Sequence, residues 1–371
     1  MESTMVKTKK ITKYLLLLCF IVFPLGKLFQ IHILDILVFL ISALYLTKAL
    51  FKFRNLPIFV WILILSFVAS FLKFDISEIF VGFLYSLRLL AYLTLPLAIS
   101  QTEISQNSLQ KFLIFSSLAA AILGLLQYFA LPDLRFLKIW GWDDHYFRLT
   151  FPFLDPAFTG IIFVLTILFL LGNQKIVSQN KTKIFSIIVL AALGLTFSRS
   201  SFAALFFAFV YLFFKKQLKL KQIIYILGFL IFVVIIAPKP GGEGVNLTRT
   251  NSLAQKAYNY KQSFEIISQS PVLGVGFNNV CLVRNDLKLS HSCHGLDNSF
   301  LFIWATTGVV GFVAFIYLIY QIFTHSNYAF QAIVIAVVLH SFFTNTLFYN
   351  FVMFWLAIAW TSSKVDKLRL D

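Results

Sequence analysis

The sequence predicts an all-α membrane protein, a bundle of about twelve transmembrane helices with one large loop outside the cytoplasm. Of its 371 residues, 59% are hydrophobic and only 12% are charged, with a mean hydropathy of +0.86. Soluble domains carry about 25% charged residues. Apolar runs close to the ~20 residues needed to span a bilayer recur along the whole chain. Segments that cross lipid must be helical, because their backbone has to satisfy its own hydrogen bonds.

The chain is predicted to be one membrane domain, 1–371, in three parts. Nine spans occupy 1–237, the loop occupies 238–298, and three spans occupy 299–363. Hydropathy alone does not fix the division between the two short segments beside Arg199. The predicted spans are 11–29, 31–51, 56–74, 79–99, 109–131, 153–172, 182–198, 200–214, 222–237, 299–323, 327–343 and 346–362.

The net charge of +16 follows the predicted membrane topology. Positive charge in short loops marks the cytoplasmic side of a membrane. The basic residues cluster in alternate gaps between spans. We therefore predict that the protein lies in the cytoplasmic (inner) membrane and that both of its termini are in the cytoplasm. This distribution argues against a nucleic-acid partner. The clusters lie at 7–13, 48–54, 175–183, 215–221 and 364–369.

The loop 238–298 is the longest polar interval, and the same alternation places it outside the cytoplasm. It opens with the sequence PKPGG, which ends a helix and begins a flexible turn. Within it, apolar residues recur at helical spacing and predict an amphipathic helix over 251–268 that lies on the bundle. These residues are Leu253, Ala257, Tyr260, Phe264 and Ile267.

Three arginines are candidates for anion binding. Arg199 lies between two apolar segments, where an ionisable residue is expensive and is a functional candidate by default. The alternative is a loop arginine that reaches the membrane interface. Arg88 lies as deep in its span, and either neutralises an acidic group or helps to bind an anionic lipid. Arg249 in the loop is either solvated or joins Arg199 on one anion, which arginines can bind bidentately.

The stretch HSCHGLDN gathers several rare polar groups just before a long apolar segment. His291, Cys293 and His294 with Cys281 could bind zinc, although the spacing matches no standard site. Cys281 and Cys293 could instead form a disulfide on the oxidising outer side. The third alternative is catalytic, with an imidazole or the Asp297 carboxylate as general base. Asp297 could equally cap the following helix.

Four short motifs occur in a characteristic order. Because of them the sequence resembles the O-antigen ligase and polymerase family of bacterial membrane glycosyltransferases. One difference is that Asp297 stands where the family has histidine, with His294 and His291 nearby, so the identity of the base stays open. The motifs are the arginine turn at 198–200, Arg249 early in the loop, PVLGVG at 271–276, and Asn298 followed by Gly308 and Gly311.

The resemblance implies a donor glycan carried on undecaprenyl diphosphate and a reaction that needs no metal or cofactor. An acceptor hydroxyl on a glycan, lipid or protein would displace the lipid diphosphate with inversion, outside the cytoplasm. Arg199 and Arg249, with Arg88 and Asn298, would bind the substrate. His294, His291 or Asp297 would take the proton. The alternatives are a flippase or transporter of lipid-linked glycan, and a relative without catalytic activity.

Overall fold

The computed structural model describes residues 2–27, 32–51, 57–173, 176–241, 244–284 and 295–363. The regular structure of these residues is helical, without a β-strand, which confirms the all-α prediction. Nine α-helices precede the loop in this part of the chain. They are α1 Glu2–Val22, α2 Ile33–Phe51, α3 Ile58–Ser70, α4 Ile76–Ser100, α5 Gln106–Ala130, α6 Pro156–Gly172, α7 Gln179–Leu195, α8 Arg199–Phe214 and α9 Leu220–Ile236.

The remaining described helices lie in the loop and after it. Each of the twelve predicted spans overlaps one helix of the structure. Among the described residues, α4, α5 and the helix Ser299–Thr324 are long and apolar enough to cross a membrane, and six more apolar helices are shorter. The chain is therefore a membrane protein, while the number of crossings stays a prediction. These later helices are α10 Asn251–Gln269, α11 Val280–Val283, α12 Ser299–Thr324, α13 Tyr328–His340 and α14 Asn350–Ser363.

Three helix ends meet at one end of the bundle. Helix α13 packs on α6 and α8, and the carboxyl end of α13 lies beside the first residues of α8. The amide of Ser299, at the start of α12, donates to the carbonyl of Ser341 just after α13. Main-chain groups that lack a partner within their own helix are therefore concentrated at this end, where three helices begin or end.

The PVLGVG motif at 271–276 packs against a break in α12. The amides of Val275 and Gly276 donate to the carbonyls of Ala305 and Thr306, each at 3.0 Å. Helix α12 is broken at Gly308, whose φ of +67° is in the left-handed region. A Cβ there would lie 2.0 Å from the carbonyl oxygen of Val272. The motif and the α12 glycine are thus one structural unit that fixes how the loop returns to the bundle.

The predicted amphipathic helix is present as α10, but the predicted apolar face is only partly correct. Ile267 is buried, whereas Leu253 and Phe264 are 51% and 52% exposed. The half-buried positions in the first half of α10 are polar instead. The reason is that this half covers main-chain carbonyls and the Arg199 guanidinium, which require hydrogen-bonding partners.

Candidate functional site

Arg199 is the first residue of α8, one residue after a tight turn. The apolar sequence of α7 and α8 is interrupted here because Ser198 caps α8. The Ser198 hydroxyl accepts a hydrogen bond from the amide of Ser201. The half-buried Arg199 side chain then reaches the segment before α10. It donates to the carbonyls of Leu247 at 3.2 Å and Arg249 at 2.8 Å, and to the Ser252 hydroxyl at 2.6 Å.

Arg249 lies in the segment that Arg199 holds. Its guanidinium donates to the carbonyls of Gly244 at 3.0 Å and Asn246 at 2.8 Å. A cavity of about 450 Å³ adjoins this segment, lined by Lys239, Gly241, Val245, Asn246 and Leu247. The structure therefore brings the two predicted arginines together beside a cavity.

The inner face of α10 connects Arg199 to the residue in the position of the motif histidine. Ser252 contacts Arg199, and one turn later the Lys256 ammonium lies 3.9 Å from the Asp297 carboxylate. At the next turn, Asn259 accepts a hydrogen bond from the Asp297 amide at 3.2 Å. A helix rises ~1.5 Å per residue, so the contact point for Arg199 lies about 6–10 Å along α10 from the two contact points for Asp297.

Asn298, not Asp297, caps α12. Its side-chain oxygen accepts hydrogen bonds from the amides of Phe300 at 2.8 Å and Leu301 at 3.1 Å. The capping alternative for Asp297 is therefore wrong, because α12 begins one residue too late for it. Asn298 also donates to the Tyr260 hydroxyl at 3.0 Å, so both ends of its amide have protein partners.

Tyr260 joins α10 to the segment after α13. Its hydroxyl donates to the carbonyl of Phe342, while Lys256 donates to the carbonyl of Phe343. Burial raises the pKa of Tyr260, against the opposing effect of the Asn298 hydrogen bond. The phenol therefore stays protonated at neutral pH and remains a donor. These contacts fix α10 over the end of the bundle.

Three of the predicted residues in the HSCHGLDN stretch, His291, Cys293 and His294, lie outside the described residues. Cys281 is disulfide-bonded, so it supplies no thiolate for the zinc site considered above. Its pairing with Cys293 stays a prediction. Of the candidate bases, only Asp297 can be placed, and its carboxylate is 46% exposed.

Arg88 lies in a different set of contacts from Arg199. Its guanidinium lies 3.5 Å from the Asp35 carboxylate and donates to the carbonyl of Phe348 at 3.2 Å. Asp35 also accepts from the Tyr92 hydroxyl at 2.6 Å and from the Asn350 amide at 3.1 Å. Arg88 therefore neutralises an acidic group of the bundle, and a role for it in binding a substrate or lipid stays a prediction.

His340, at the end of α13, was not among the predicted residues. It is fully buried, and its Nε2 lies 3.0 Å from the Ser200 hydroxyl and 3.2 Å from that of Ser201. Its Nδ1 lies 2.6 Å from the Thr346 hydroxyl. His340 thereby holds the first turn of α8, which carries Arg199. A single histidine at the end of an apolar segment gives no sequence signal for such contacts.

Arg148 and Lys256 were also missed as site residues. Arg148 is only 8% exposed and donates to the carbonyl of Thr196 at 3.1 Å, three residues before Arg199. Lys256 is a half-buried lysine of α10 that was not among the predicted apolar positions of this helix. Both side chains lie among partners that are distant in sequence, so spacing alone could not identify them.

Comparison with known proteins gives a family for this region. No curated protein matches the chain. The family model of the O-antigen ligases matches residues 184–316, roughly a third of the chain. The matched segment runs from α7 into α12 and contains Arg199, Arg249, α10 and Asp297. Residues 184–316 of the chain are therefore similar to the O-antigen ligase family.

Proposed function

We propose that the protein transfers a glycan from a polyprenyl diphosphate, such as undecaprenyl diphosphate, to an acceptor hydroxyl. The reaction takes place at the outer face of the cytoplasmic membrane and inverts the anomeric configuration without a metal ion. The family supports glycan transfer from a lipid-linked donor. The donor lipid, the stereochemistry and the metal independence are part of this proposal.

The observation that carries the proposal is the set of contacts along α10. One face of this helix touches Arg199 through Ser252 and Asp297 through Lys256 and Asn259. A leaving diphosphate needs fixed positive charge, and an attacking hydroxyl needs a base close by. Both kinds of group lie within about two helical turns of α10, which favours one shared site over two unrelated clusters.

The chemistry divides between the two halves of this site. The acceptor oxygen attacks the anomeric carbon as the bond from that carbon to the diphosphate oxygen breaks, and the diphosphate keeps the electron pair. Arg199 and Arg249 stabilise this charge, since pre-oriented guanidinium groups need no reorganisation during reaction. The hydroxyl proton passes to His294 or Asp297, a contribution of typically 10²–10⁴-fold.

A deletion strain tests the proposal without knowledge of the acceptor. Loss of a transferase should cause lipid-linked glycan to accumulate on the outer leaflet of the membrane. Complementation with the wild type should clear it, and the Arg199→Ala variant should not. Arg135→Gln is the control, because Arg135 is exposed and paired locally with Asp133 at 2.6 Å.

Other outcomes would contradict the proposal. Accumulation on the inner leaflet would identify a flippase, because the donor would then fail to cross the membrane. Full complementation by Arg199→Ala would identify a relative that does not use this site for catalysis. A separate assay with purified protein, donor, acceptor and EDTA tests metal independence. If no metal ion is needed, the release of polyprenyl diphosphate should be unchanged by EDTA.

A further inference from the structure

Arg148 lies in the segment between α5 and α6, which is predicted to face the outside. Its side chain is 8% exposed. Nε donates to the carbonyl of Thr196 at 3.1 Å, and Nη2 approaches the carbonyl of Phe197 at 3.5 Å. These carbonyls belong to the turn that ends one residue before Arg199. Arg148 is therefore fixed to the same turn that orients the first arginine of the site.

Arg148 is also adjacent to the segment that carries Arg249. A Cβ built on Gly244 would lie 2.8 Å from Cδ of Arg148, so the main chain of Gly244 packs directly on this side chain. The Arg249 guanidinium donates to the carbonyl of the same glycine at 3.0 Å. Arg199 in turn donates to the carbonyl of Arg249. One turn and one short loop thus hold three guanidinium groups together.

No carboxylate of the described residues lies within 4.0 Å of the Arg148 or Arg199 guanidinium. Burial first, and then the positive charges of Arg249 and Arg199, lower the pKa of Arg148 to about 9, while Asp155 opposes them. A guanidinium stays protonated in proteins, so its surroundings favour an added anion.

Arg148 retains a donor for such an anion. Its two hydrogen bonds use Nε and Nη2, and Nη1 has no hydrogen-bond partner among the described residues. Nη1 is also not fully enclosed by the protein, since it is not one of the buried side-chain atoms without a partner among the described residues. A buried arginine held by two carbonyls, with a nitrogen still available, is arranged to bind an anion that arrives from outside.

The geometry points to Arg148 as a third anion-binding residue, which makes the site selective for a diphosphate over a single phosphate. This inference rests on the proposed function and adds to it a residue and a specificity. Two linked phosphates present more acceptor oxygens, over a longer span, than one phosphate does, so a third arginine can bind oxygens beyond those held by the other two. Loss of Arg148 should therefore weaken binding of a diphosphate more than binding of a monophosphate.

The test compares two soluble lipid probes on the purified full chain in detergent. Farnesyl diphosphate and farnesyl monophosphate are titrated into the wild type and Arg148→Gln by calorimetry. A hydrogen bond from a charged group implies that diphosphate affinity falls about ten- to hundredfold. Monophosphate affinity should change by less than about threefold. The control Arg135→Gln, in the same loop but paired with Asp133, should leave both affinities unchanged.

Parallel variants separate this inference from the proposed function. If Arg199→Gln and Arg249→Gln bind farnesyl diphosphate as well as the wild type, the proposed donor site itself is wrong. If these two lose binding while Arg148→Gln keeps full selectivity, only the role of Arg148 is wrong. Should Arg148→Gln fail to fold, Gly244→Ala replaces it, because its methyl group must displace the Arg148 side chain. Unchanged selectivity in that folded variant contradicts the inference.

Discussion

Replacement of Arg199 by lysine should abolish most of the activity although the positive charge is kept. Arg199 makes three hydrogen bonds that diverge from one planar group, to Leu247, Arg249 and Ser252. An ammonium on a flexible stem cannot reproduce this geometry together with a bidentate contact to phosphate. We therefore expect Arg199→Lys to be nearly as inactive as Arg199→Ala.

The size of the loss follows from the number of hydrogen bonds. Each hydrogen bond from a charged donor contributes about 1.5–3 kcal/mol, so loss of the two bonds of a bidentate contact to phosphate costs about 3–6 kcal/mol. If this cost falls on the transition state, transfer slows by roughly 10²–10⁴-fold. The assay is release of polyprenyl diphosphate by purified protein at saturating donor, with folding checked by thermal unfolding.

A matched substitution controls for the change of residue type. Arg135 also forms a bidentate contact, with Asp133, but lies exposed and outside the α10 contacts. Arg135→Lys should therefore retain wild-type activity. If the Arg199→Lys variant retains activity within about tenfold of the wild type, a point charge is sufficient at this position and the bidentate role of Arg199 is wrong.

Three further predictions concern the start of α12, the break at Gly308 and the membrane topology. Because Asn298 caps α12, Asp297→Ala should leave the melting temperature unchanged, whereas Asn298→Ala should lower it; equal drops in the two variants would restore a capping role for Asp297. Loss of transfer in Asp297→Asn, compared with that in His294→Ala, identifies the base. Gly308→Ala should destabilise the protein by at least about 1–3 kcal/mol, measured by thermal unfolding, since it combines a φ of +67° with a clash. A cysteine at Gly241 should react with an impermeant thiol reagent in intact cells, and one at Lys367 should not; the reverse pattern would overturn the predicted topology.

The helices could be predicted because membrane segments need long apolar runs whatever their neighbours are. The sequence did not fix where α7 ends and α8 begins, because apolar residues continue on both sides of Ser198. Asp297 and Asn298 are equally good caps by residue type. Only the geometry of the α12 start distinguishes them.

Candidate site residues could be proposed from the sequence where a short motif contains the residue itself, as with Arg199 and Arg249. They could not be proposed where a role depends on distant partners. His340 contacts Ser200 from 140 positions away along the chain. Lys256 is half-buried because α10 covers polar carbonyls, and a pattern of apolar residues gives no signal for a lysine in such a position.

A structure of the protein with farnesyl diphosphate, determined by cryo-electron microscopy, would test the central claim most directly. We expect diphosphate oxygens about 3 Å from guanidinium nitrogens of both Arg199 and Arg249, with the lipid chain leaving from this end of the bundle. A diphosphate bound instead between Arg88 and Asp35 would contradict the account, because it would favour a transport site within the bundle.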